Sequence, residues 1–135
     1  SYVNTSAISG MEVASVLNED PNYVFKTLVT IGKSGNHFVF LVPVNKELNL
    51  KKAAKTVGEK SISMVKQAEL LPLTGYIHGG CSPVGMKKLF KTVIDESASS
   101  YDKIIFSGGK IGYQIETTLS ELKKAVPFIL GDISE

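Results

Sequence analysis

Two apolar runs, "FKTLVTI" at residues 25–31 and "HFVFLVP" at residues 37–43, flank the short link "GKSGN". Both are rich in β-branched and aromatic residues, and the glycine-containing link between them predicts a β-hairpin. Neither run alternates cleanly between apolar and polar, so each strand must be covered on both faces. Such strands lie centrally in a sheet or in a closed one, and this requirement limits the fold more than any other feature of the chain.

The remaining segments supply the cover. "SGMEVASVL" sets Met11, Ala14 and Leu17 at helical spacing behind Ser9. "LNLKKAAKTVG" sets Leu50, Ala53, Ala54 and Val57 at i, i+3, i+4 and i+7, with Gly58 where a helix should stop. "TTLSELKKAV" pairs Thr118 with Glu121 as a capping box ahead of Leu119, Leu122 and Val126, and Pro127 ends it. Short strands are expected around Ile62 to Val65 and in "TGYIH", "LFKTVID", "KIIFSGG", "GYQIETT" and "PFILGDI". Many strands and three helices without regular alternation predict an α+β fold: a mixed, barrel-like β-sheet with surrounding helices. No linker, repeat or low-complexity tract divides the 135 residues, so residues 1–135 read as a single domain.

Hydrophobic residues at 43% and charged residues at 21% match a globular chain, and no run is long enough to span a membrane. The first residues, "SYVNTSAISG", lack the features of a signal peptide, and Cys81, the single cysteine, cannot form an internal disulfide. Both favour a reducing cytoplasm. All 15 basic residues are lysines against 13 acidic ones, for a net charge of +2. That balance neither announces nor excludes RNA, and without arginine forks base-specific reading of DNA is not expected.

The chemistry-bearing stretches are few. "TGYIHGGCSP" gathers Gly79, Gly80, His78, Cys81, Ser82 and Pro83. Cys81 as a nucleophile needs a base, and His78 three residues away is poorly placed for that in an extended segment, so a small buried thiol is the simpler reading. One cysteine and two separated histidines make no metal-binding spacing, and no metal or other cofactor is expected. The glycines can turn a strand while presenting successive N–H groups to a phosphate or an oxyanion; a plain turn fits them equally well. Lys26 sits inside an apolar strand, where its ammonium must snorkel, pair with a carboxylate or face an anion in a cleft. "FSGGK" ends another strand in glycines, with Ser107 at its lip and Gly108 after it. Two glycine-rich strand ends and a strand-borne lysine suggest one cleft.

"VFKTLV", "LKKAAKTVG", "TGYIHGGCSPVG" and "IIFSGGKIGYQIE", in this order, resemble the bacterial YbaK-like aminoacyl-tRNA deacylases, relatives of the editing domain of prolyl-tRNA synthetase. The resemblance runs from about Gly10 onward, with the family's amino-terminal segment shortened. It implies hydrolysis of the ester of mischarged tRNA, typically cysteinyl-tRNA(Pro), in trans, with tRNA(Pro) and prolyl-tRNA synthetase as partners. It carries the catalytic lysine onto Lys26, with Thr27 beside it, and the Gly-x-x-x-Pro loop onto Gly79 to Pro83. Gly79 and Gly80 would act as oxyanion donors, with Cys81, Ser82 and Pro83 against the substrate. Ser107 and Gly108 match the family's strand end, and Tyr2 its amino-terminal tyrosine. No protein nucleophile is implied, since the thiol of a cysteinyl substrate is thought to attack its own ester. Gln114 stands where the family usually has aspartate; it accepts a hydrogen bond but brings no charge to an α-ammonium. A non-catalytic module binding the tRNA acceptor end or a synthetase is the alternative.

Overall fold

The computed structural model describes residues 23–66, 68–69, 90–107 and 114–135. The expected hairpin is present: β1 (Phe25–Gly32) and β2 (His37–Pro43) pair antiparallel, with Phe25 opposite Pro43 and Ile31 opposite His37. Gly35 in the link takes φ +93°, a conformation that disfavours any residue with a Cβ. The Glu59 carboxylate accepts from the Ser34 hydroxyl at 2.7 Å and from its N–H at 3.1 Å, tying the turn to the far end of the next helix. Those two bonds hold the Glu59 carboxyl below its ordinary value.

Helix α1 (Leu50–Val57) starts at Asn49, whose side chain accepts from the Lys52 N–H at 3.0 Å, and stops at Gly58 with φ +76°. Strand β3 (Ile62–Met64) follows and joins β1 antiparallel. Strand β4 (Lys91–Asp95) lies parallel to β2, and a short 3-10 helix, Glu96–Ser100, leads from it to β5 (Ile104–Ser107). Strand β6 (Gln114–Thr117) pairs antiparallel with β5. Helix α2 (Leu119–Ala125) is capped by Thr118, whose Oγ1 accepts from the Glu121 N–H at 3.1 Å. The reciprocal half of the expected capping box is replaced, because the Glu121 carboxylate pairs with Lys124 at 3.2 Å. Strand β7 (Phe128–Gly131) then adds to β4 in parallel.

The result is a mixed α+β architecture: a five-stranded sheet in the order β3-β1-β2-β4-β7 and a separate β5-β6 ribbon. Among the described residues the five-stranded sheet is open, which corrects the expected barrel-like closure. The two apolar faces of β2 explain how the sheet does without it. Phe38, Phe40 and Val42 pack on one side with Ala53 and Ala54 of α1, Ile62, Val93 and Ile133. Val39 and Leu41 pack on the other with Phe25, Val29, Ile94, Leu122 of α2, and Ile104 and Phe106 of the ribbon. Helix and ribbon supply the second layers that closure would otherwise provide. Phe40 and Leu41 are fully buried, each contributing about 2 kcal/mol of apolar transfer. The helix expected over Met11 to Leu17 and the strand expected in "TGYIH" lie outside the described residues.

Candidate functional site

Lys26 is the second residue of β1, and strand alternation places it on the face shared by Val24 and Leu28. Its side chain is 28% exposed, and its Nζ lies 3.6 Å from Oε1 of Glu47. Of the three outcomes open to a strand lysine, partial exposure with a carboxylate partner is the one adopted. Glu47 follows β2, and its side chain is 82% exposed. Its backbone is nonetheless held: the Glu47 N–H donates to the Glu135 carbonyl at 3.2 Å, and the Glu135 N–H returns a bond to the Glu47 carbonyl at 2.9 Å.

The ribbon meets this end of β1. Val24 and Ile105 form a parallel bridge, with the Ile105 N–H donating to the Tyr23 carbonyl at 2.9 Å and the Val44 N–H to the Val24 carbonyl at 2.8 Å. Val24, Val44 and Ile105 pack into a small buried cluster with Tyr23 against it, and the Tyr23 ring stacks on Tyr101 at 5.6 Å. Two residues beyond the bridge stand Lys26 on β1 and Ser107 on β5. Ser107 is directly opposite Gln114 in the ribbon. Alternation then puts the Lys26, Ser107 and Gln114 side chains on the same side of their strands as the bridged pair. Three residues far apart in sequence are thereby gathered at one end of the sheet. Gln114 is buried at 8% exposure and neutral, and Glu116, two residues on, pairs with Lys103 at 3.9 Å.

Thr27 does not join them. It faces the opposite side of β1, with Phe25 and Val29, and its Oγ1 is buried without a hydrogen-bond partner. An unpaired hydroxyl there is a local cost. Thr30, by contrast, is fully buried but donates to the Phe38 carbonyl at 2.9 Å. Tyr2, Gly79, Gly80, Cys81, Ser82, Pro83 and Gly108 lie outside the described residues. Among the described residues no group of three His, Cys, Asp or Glu side chains could hold a metal ion, and no helix is long and apolar enough to cross a membrane.

Two carboxylates escaped the reading of the sequence. Glu47 sits in "VNKELN", a stretch that carries no motif. Asp95, 3% exposed at the end of β4, accepts from the Ile133 and Ser134 N–H groups at 3.2 and 3.1 Å and from the Ser97 hydroxyl and N–H at 2.6 and 3.3 Å. Burial pushes its carboxyl up, and the Ser97, Ile133 and Ser134 bonds outweigh that, leaving it below the ordinary value. Asp95 thereby clamps the segment whose next residue, Glu135, holds the Glu47 backbone. The Asp-x-Ser pattern at 95–97 was the one local signal for the cap half of this clamp.

The relatives agree on what this architecture belongs to. A family model described as "Aminoacyl-tRNA editing domain" matches residues 6–125. An Enterococcus faecalis protein named "Putative Cys-tRNA(Pro)/Cys-tRNA(Cys) deacylase EbsC" is 48% identical over 109 residues, covering 81% of this chain and 66% of that protein. A proline–tRNA ligase of Thermosipho melanesiensis is 30% identical over 102 residues, 76% of this chain and 18% of the ligase. The chain thus spans just under two thirds of the first relative and under a fifth of the second. A crystal structure described as "a putative trans-editing enzyme for prolyl tRNA synthetase" superposes with a TM-score of 0.89 at 27% identity, covering 100% of this chain and 85% of that one. With the family model matched over most of its length, the chain belongs to the aminoacyl-tRNA editing domain family.

Proposed function

We infer that this protein is a trans-editing deacylase that hydrolyses the ester of mischarged aminoacyl-tRNA, cysteinyl-tRNA(Pro) first among its substrates. The observation that carries the reading is the placement of Lys26, a half-buried cation at the sheet end where Ser107 and Gln114 also stand, in a chain of the editing family. The 48% identity to a protein named as a cysteinyl-tRNA deacylase supports the substrate class. Lys26 engages the terminal phosphate or ribose of the tRNA as a point charge. The N–H groups of Gly79 and Gly80 stabilise the developing oxyanion, each contributing about 3 kcal/mol if typical oxyanion-hole values hold. Cys81, Ser82, Pro83, Tyr2, Ser107, Gly108 and Gln114 contact the substrate around the ester, while Thr27, on the opposite face of β1, lines the core behind Lys26. The substrate's own thiol attacks the ester carbonyl, and the ester C–O bond breaks as the terminal ribose oxygen leaves and takes up the thiol proton. Water then opens the cyclic thioester to free cysteine, which leaves no step for Cys81 as nucleophile. Aminoacyl-tRNA is the partner, with prolyl-tRNA synthetase as the source from which it is released.

The test is a deacylation panel over cysteinyl-, alanyl- and prolyl-tRNA(Pro). The wild type hydrolyses the cysteinyl ester fastest, and Lys26→Ala lowers kcat/KM by about a hundredfold, the loss of a charge-assisted contact to the reacting end. Unchanged kcat/KM in that variant rejects the role of Lys26. The neutral Gln114 side chain favours a second reading, a module that holds the acceptor end without turnover. Measured tRNA affinity with no hydrolysis of any panel member establishes it.

A further inference from the structure

We propose that Glu47 is the residue that reads the α-ammonium of the bound aminoacyl group, exchanging Lys26 for it when the ligand enters; this deepens the deacylase reading and rests on it. Lys26 Nζ and Glu47 Oε1 are 3.6 Å apart, long for a charge-assisted hydrogen bond, and Glu47 is largely in solvent. A pair of that kind contributes little to folding. Yet the Glu47 backbone is pinned on both its N–H and its carbonyl to Glu135, within the segment clamped by Asp95. An exposed side chain on a fixed backbone is free to swing while its origin stays put.

The charges match the two ends of the ligand. An aminoacyl ester at a tRNA terminus carries a phosphodiester anion on one side and an ammonium on the other. The anion attracts Lys26 and the ammonium attracts Glu47, so binding replaces one loose ion pair by two. Among the described residues, the other groups near this end do not offer the same service. Gln114 is buried and neutral, and Glu116 stands opposite Ile105, two residues farther along β6, with its side chain only 29% exposed against 82% for Glu47. Glu47 is therefore a specificity residue toward ligands with a free α-amine.

The test separates this role from hydrolysis by measuring binding. The probes are amide-linked, non-hydrolysable analogues of 3′-cysteinyl-adenosine 5′-monophosphate, one with a free α-amine and one N-acetylated. They are titrated against wild type, Glu47→Gln and Glu47→Asp. The wild type should prefer the free amine by roughly tenfold, the worth of one charge-assisted contact. Glu47→Gln should abolish the preference by weakening the free-amine analogue alone, and Glu47→Asp should restore part of it. A preference unchanged in Glu47→Gln, or no preference in the wild type, weak or absent binding of both analogues included, overturns the assignment. Turnover of cysteinyl-tRNA(Pro) by the wild type is scored separately. Binding discrimination without turnover would sink the hydrolase reading and leave the Glu47 assignment standing.

Discussion

Asp95 and Glu47 are two carboxylates in one small fold, and they are spent in opposite ways. Asp95 is 3% exposed and accepts four hydrogen bonds, three from the backbone and one from a hydroxyl. Glu47 is 82% exposed and meets one ammonium at 3.6 Å. A buried carboxylate saturated with donors is committed to the structure, because removing it strands every donor. An exposed one in a loose pair costs little to release, so it can serve a ligand. The two are linked in sequence of contacts, since the residues that Asp95 holds lead directly to the one that holds the Glu47 backbone.

The comparison is broken most severely at Asp95. Asp95→Ala leaves the Ile133, Ser134 and Ser97 N–H groups without their acceptor, and a loss of about 3 kcal/mol in urea-unfolding free energy is expected. A loss below about 1 kcal/mol would show that water replaces the carboxylate and that the clamp is not structural. In the same measurement Glu47→Gln and Lys26→Ala should stay within about 0.5 kcal/mol of wild type, as expected of a loose surface pair.

Acid sharpens the contrast. The Asp95 carboxyl is lowered on folding, so its contribution to stability is fully present above the unfolded value of about 3.9 and is lost as pH falls through the folded value. Unfolding midpoints of the wild type should therefore drop on acidification below about pH 4, and those of Asp95→Asn should drop less. Parallel curves for the two proteins would remove Asp95 from the acid response.

The smallest effect belongs to Thr27. Its Oγ1 is buried and unpaired, so Thr27→Val removes an unmet hydroxyl while keeping the branched shape. Stability unchanged or raised by up to about 1 kcal/mol is expected in thermal melts. If deacylation falls in this variant while stability holds, the hydroxyl is kept for the ligand; if both are unchanged, Thr27 only lines the core face.

Much of this fold could be read before any coordinates. The hairpin followed from two runs that are apolar on both faces, and helices α1 and α2 from apolar spacing bounded by Gly58, Thr118 and Pro127. These signals are local, set by alternation, periodicity and capping within about ten residues. The open sheet was not legible, because either closure or added layers would cover β2, and the chain uses layers. Nor was the parallel joining of β2, β4 and β7, which depends on pairing between distant strands. At the site, Lys26 stood out because a charge in an apolar strand is conspicuous. Thr27 beside it took the opposite face, since neighbouring strand residues must.

Taken alone, then, the sequence determined that β1 and β2 lie covered on both sides, that a lysine interrupts one of them, and that the chain resembles the editing deacylases. The tertiary structure decided that this lysine meets Glu47, that Ser107 and Gln114 stand at the same sheet end, and that Asp95 secures Ile133 and Ser134. The reason is distance along the chain. Backbone preference and side-chain spacing act between near neighbours, whereas the register of one strand against another, fixed by packing of the whole core, chooses which remote charges come to face each other.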